Sequence, residues 1–91
     1  MKTIKDKKLD KYFAITGEAI NKIKVLDKKH GEDAFDMAKR YYSDAKFFRD
    51  KGDYVNAFAC LNYAHGWLDA GARLGLFDVG KDSRLFTVYD E

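Results

Sequence analysis

The sequence predicts an all-α protein: an antiparallel three-helix bundle with a repeat-like helical hairpin and a short extended C-terminal tail. Three observations predict it. The chain contains no proline in 91 residues, so no ring kinks a helix or removes one of its N–H donors. Apolar residues recur at spacings of three and four, the helical period, through three long segments. Gly31 and Gly52 fall where those patterns break. The length fits a single domain over residues 1–91, with no room for two cores. Six Tyr, seven Phe and one Trp give so small a core a large area to bury.

The first helix is expected over residues 4–29. Thr3 with Asp6 three residues later reads as a capping box. Leu9, Tyr12, Phe13, Thr16, Ala19, Ile20, Ile23 and Leu26 form its apolar face, with Lys7, Lys11, Lys22 and Lys29 opposite. Lys28, Lys29 and His30 suit a helix C-terminus, and Gly31 suits the position just beyond. The second helix is expected over residues 32–51. Glu32 and Asp33 favour its positive end, and Ala34, Phe35, Ala38, Tyr41, Tyr42, Ala45 and Phe48 form its apolar face. Phe47 falls off that face, among Arg40, Ser43 and Asp50. Gly52 can adopt a left-handed conformation, and Asp53 can cap the next helix.

The third helix is expected over residues 54–76, and it divides into stripes. Ala57, Leu61, Ala64, Leu68, Gly71, Ala72 and Gly75 make a small-residue stripe that admits a close neighbour. Tyr63, Trp67, Ala70 and Leu74 make an aromatic-rich stripe, expected to be core. Asn62, His65, Asp69 and Arg73 make a polar stripe with Gly66 beside it. The polar part covers only about 80° of the helix, so this helix is expected to be central. In the tail, residues 77–91, Gly80 and Asp82-Ser83 read as a turn. Leu85, Phe86, Val88 and Tyr89 form a short β-prone run that needs a partner, either on the bundle or on another chain.

The helix–Gly-Asp-Tyr–helix unit resembles a tetratricopeptide repeat, but one unit does not make an array. A closer resemblance is carried by "DA-x-x-F-x-x-x-GD-x-x-x-AF" followed by "NYA-x-GWLDAG-x-RLG". These motifs, over residues 38–79, are similar to those of the archaeal family called domain of unknown function 357. Residues 1–30 match that family only as a helix of suitable length. The resemblance implies an archaeal source and a small helical bundle. It carries no activity and no functional residues.

Composition and spacing bound the chemistry. The formal net charge is +2, but residues 1–30 hold nine Lys against four acids. That surplus suits either a solvated helix face or contact with nucleic acid. One Cys excludes an intrachain disulfide and fits a reducing compartment. Without an apolar leader, or any run near the roughly 20 apolar residues of a membrane span, a cytoplasmic protein is expected. Metal binding needs three or four convergent ligands. Two His and one Cys on different faces do not supply them, so neither metal nor cofactor is expected. Cys60 in "FACL" has an apolar setting that keeps a thiol inert. Ser43 and Ser83 have no nearby His, no phosphate loop is present, and the Arg–His signature of HEPN ribonucleases is missing.

The polar stripe is the surviving candidate site: Asn62, His65, Gly66, Asp69 and Arg73. His65, Asp69 and Arg73 are each one turn apart and share a face. Gly66 costs about 1 kcal/mol against Ala within a helix, which makes sense where a backbone or ligand approaches. The stripe reads either as a binding groove or as an exposed edge with an ordinary ion pair. Phe47, Leu85, Phe86, Val88 and Tyr89 are candidate interface residues. Three functions follow. The first is a non-enzymatic protein–protein interaction module, as a homodimer or an assembly subunit. The second is a nucleic-acid-associated protein using the basic first helix. The third is a binder of a small molecule or anion on the polar stripe, with Arg73 supplying the charge.

Overall fold

The computed structural model describes residues 5–80. Three helices, α1 (Asp6–Lys22), α2 (His30–Asp50) and α3 (Tyr54–Arg73), make an all-α bundle. Two short strands, β1 (Lys24–Val25) and β2 (Phe77–Asp78), clip its end. They pair antiparallel, Lys24 opposite Asp78 and Val25 opposite Phe77.

α1 buries Leu9, Phe13, Thr16 and Ala19, the face its periodicity marks. It ends at Lys22, seven residues short of the expected boundary at 29. Ile23 is extended at φ −74°, ψ 150°, and the chain turns away to form β1. Leu26 is therefore not on a helix face, and it is 61% exposed. Lys28, Lys29, His30 and Gly31 do not end α1; they open α2. The Asp27 carboxylate accepts the His30 N–H at 2.9 Å, and the Asp27 carbonyl accepts that of Gly31 at 2.7 Å. That is the capping role of an acidic side chain at a helix start. At the α1 start Asp6 is the first helical residue, and Lys5 before it makes no side-chain cap bond. Thr3 lies outside the described residues.

The hairpin turn follows its sequence closely. Gly52 has φ +78°, and the N–H groups of Gly52 and Asp53 donate to the carbonyls of Arg49 and Phe48. This is the paired-bond C-terminal cap that a left-handed glycine permits. Asp53 then accepts the Asn56 N–H and caps α3. The same cap ends α3. Gly75 has φ +76°, its N–H donates to the Ala72 carbonyl, and that of Leu76 donates to Gly71. Gly75 thus stops the helix instead of continuing its small-residue stripe to 76.

The rest of that stripe is the centre of the molecule. Ala57, Leu61, Ala64, Leu68 and Gly71 are all buried. Leu9 and Phe13 of α1 join Ala45, Ala57 and Leu61 in one cluster. Ala19, Ala34, Ala38 and Leu68 join Phe77 and Val79 in the other. Low-numbered residues of α1 thus meet low-numbered residues of α3, so these two helices run the same way and α2 runs against them. The Phe77 ring lies on Gly71, where a Cβ would overlap its edge carbons. The chain leaving α3 therefore folds back over its own helix. Leu85, Phe86, Val88 and Tyr89 lie outside the described residues. Across the bundle, the Tyr42 hydroxyl donates to the Phe13 carbonyl at 3.2 Å, and the Arg49 guanidinium sits 4.0 Å from the Phe13 ring centre.

Candidate functional site

α3 is central but not enclosed. α1 covers one flank and α2 the other, leaving an outward face between them. Two features border that face: a groove toward α1 and an apolar ridge toward α2.

The groove has a volume of about 340 Å³. α1 contributes Tyr12, Ile15 and Thr16; α3 contributes Leu61, Asn62, His65, Gly66 and Asp69. Four of the five candidate binding residues therefore line one concavity. Arg73, a turn further along, does not line it. The His65 and Asp69 side chains are about four-fifths buried, with Nε2 and Oδ2 3.8 Å apart. They make the one-turn pairing their spacing implies. No described atom lies within 4 Å of where a Cβ on Gly66 would stand. Neither helix 1 nor the exit from α3 approaches Gly66, so among the described residues the fold makes no use of its missing side chain.

The ridge corrects an expectation. Tyr63, Trp67, Ala70 and Leu74 are not core: Tyr63 is 63% exposed, Trp67 38% and Leu74 73%. Ala70 is exposed as well. The ring of Tyr41 on α2 stacks on Tyr63 at 5.3 Å between centroids. The apolar content of α3 serves two surfaces, the buried stripe and this uncovered one. Both surfaces repeat with the alternation of four and three by which helices pair lengthwise, so spacing alone does not tell the covered one from the open one.

Phe47 is exposed, as its position off the α2 face requires. Its ring packs edge-on against Phe48, with the Lys51 ammonium 5.1 Å from its centre. Cys60 is half-buried, and that burial, with Asp44 nearby, pushes its thiol pKa up. A thiol held protonated is a poor nucleophile. Lys7, Lys11, Lys22 and Lys29 do not share one helix, because Lys29 belongs to the start of α2. What α1 gathers instead is Lys5, Lys7, Lys8 and Lys11 around Tyr12. Among the described residues, no group of three or more His, Cys, Asp or Glu is placed to hold a metal ion. No helix among them is long and apolar enough to cross a membrane.

Fold and surface together define a small helical-bundle domain with a groove between α1 and α3 and an exposed apolar ridge on α3. The family model described as "Protein of unknown function (DUF357)" matches residues 11–77, and the chain belongs to that family. The match takes in most of α1, well beyond the motifs at 38–79 that carry the resemblance in sequence. No curated protein and no solved structure matches the chain.

Proposed function

We propose that this protein is a non-enzymatic helical interaction module whose docking surface is the ridge of α3. The observation that carries this reading is the run of Tyr63, Trp67, Ala70 and Leu74, uncharged and exposed on one face of α3. Burying each large side chain of such a run contributes about 1.5–3 kcal/mol, which favours keeping a partner on it. The spacing suits a second helix lying alongside. A second copy of this chain presents a helix of that spacing and equal neutrality, so self-pairing through α3 is the form proposed. Trp67 is the only tryptophan, so its emission reports on this surface alone. Emission should shift to the blue and become protected from acrylamide as protein concentration rises. Emission that stays constant over the micromolar range counts against the proposal.

Two other readings have thinner support. Lys5, Lys7, Lys8 and Lys11 form a basic end on α1, suited to weak nucleic-acid contact that salt would abolish. Retention on RNA or DNA that disappears in a Lys7→Glu, Lys11→Glu variant would favour it. An anion on the polar stripe lacks its expected cation, since Arg73 does not line the groove.

A further inference from the structure

We propose that the surface joining α1 to α3 binds a nucleoside phosphate, with the phosphates on the lysines of α1, the sugar in the groove and the base over Gly66 beside Trp67. This goes beyond the self-pairing of α3 and does not rest on it.

Three hollows, joined by shared residues, make one track. Lys5, Lys7, Lys8, Lys11 and Tyr12 line the first. Tyr12 also lines the groove, so the basic hollow opens into it. Asn62 and Gly66 line the groove and, with Tyr63, Trp67 and Ala70, a third hollow of about 320 Å³. Lys8 ties the first hollow to α3: its ammonium lies 5.3 Å from the centre of the Phe58 ring, which packs edge-on against Tyr12. Phe58 stands one turn before Asn62, so positive charge sits at the mouth of the groove.

The chemistry of the three hollows changes in the order a nucleotide requires. Ammonium groups at the first meet phosphate oxygens. The Asn62 amide and the Asp69 carboxylate in the groove meet hydroxyls. An amide both donates and accepts, and a carboxylate has acceptor sites for more than one donor, so its pairing with His65 leaves room for a sugar. The third hollow offers the rings of Tyr63 and Trp67 to a flat base, which stacks on aromatic side chains whatever its identity. The volumes, about 340 Å³ for the groove and 320 Å³ for the aromatic hollow, are in the range of small-molecule sites. Arg73 lines none of the hollows, and the lysines of α1 supply the cation it does not.

Gly66 adds an independent argument. Of the seven glycines, it is the only one with neither a positive φ nor a described atom within 4 Å of its Cβ position. A glycine in mid-helix lowers stability relative to alanine. Here it is the saddle between the groove and the aromatic hollow, and a side chain on it would part them. A ring lying flat over the backbone supplies the missing reason.

The test titrates the isotope-labelled native chain with the diphosphates of adenosine, guanosine, cytidine and uridine, and follows amide shifts. At least one should give saturable shifts at Tyr12, Asn62, Gly66 and Trp67, with the outer residues Asp33 and Arg40 of α2 unmoved. Tetranucleotides of single-stranded RNA form a second arm: shifts from mononucleotides assign the site to free nucleotides, and the same shifts from tetranucleotides alone assign it to a nucleotide within a strand. Pyrophosphate without a base should leave Gly66 and Trp67 unmoved. Lys8→Gln with Lys11→Gln, and separately Gly66→Leu with its helicity checked, should each weaken binding at least tenfold. Leu74 lines none of the hollows, so Leu74→Lys, which blocks self-pairing, should bind as the native chain does. Shifts from neither arm, shifts confined to the lysines, full affinity in either groove variant, or loss of binding in Leu74→Lys overturns the proposal.

Discussion

Gly71 and Asp53 show how single positions hold this bundle. A Cβ at Gly71 overlaps the Phe77 ring, so Gly71→Ala forces one of them to move. Overpacking of that kind costs about 1–3 kcal/mol, measurable as a lower urea midpoint with an unchanged slope. Asp53 accepts the Asn56 N–H at 3.1 Å and caps α3; Asp53→Ala should cost about 1 kcal/mol in the same experiment. Asp27 acts at the start of α2. The His30 N–H donated to its carboxylate is the largest cause holding its pKa below the ordinary carboxylate range. A folded pKa below the unfolded one gives stability that is present above the unfolded value and lost as pH falls through the folded one. The melting temperature of the native chain should therefore fall in acid more steeply than that of Asp27→Asn. Equal slopes would show that the His30 bond does not stabilise the fold.

The elements divide according to the range of the interactions that define them. The turn between α2 and α3 was legible because Gly52 and Asp53 act on groups within a few residues of themselves. The buried faces of α1 and α2 were legible from periodicity. The end of α1 was not, because the competing structure is a pairing of Val25 with Phe77, far apart in the chain. Lys28, Lys29, His30 and Gly31 satisfy the signature of a helix end, yet Asp27 just before them caps a helix start. Tyr63 and Trp67 could not be separated from core by hydrophobicity; only the count of helices available to cover α3 decides that. Asn62, His65, Gly66 and Asp69 line the groove together because they sit at neighbouring positions of one helix face. The contribution of Tyr12, Ile15 and Thr16 was invisible until α1 was placed beside them. The clip at the bundle end matters for stability. Phe77 is buried between Gly71 and the Phe35 ring, and Phe77→Ala should cost about 3–5 kcal/mol by chemical denaturation. That is a large share of the total for a domain of this size. A loss below about 1 kcal/mol would mean that β1 and β2 do not hold the bundle together.

At the scale of the molecule, three helices are too few to cover a central helix on every side. α3 is closed by α1 and α2 over its small-residue stripe and left open where Tyr63, Trp67 and Leu74 stand. A bundle built only for stability would carry charged residues there, as most exposed helix faces do. Self-pairing through that ridge is the central functional claim, and sedimentation equilibrium of the intact chain from low to high micromolar concentration tests it most directly. The comparison is with Leu74→Lys, a position 73% exposed whose substitution leaves the core untouched. The native chain should show a reversible monomer–dimer equilibrium, and the Leu74→Lys chain, with the same helical circular dichroism, should remain monomeric. A native chain that is monomeric throughout, or a dimer that survives Leu74→Lys undiminished, would contradict it.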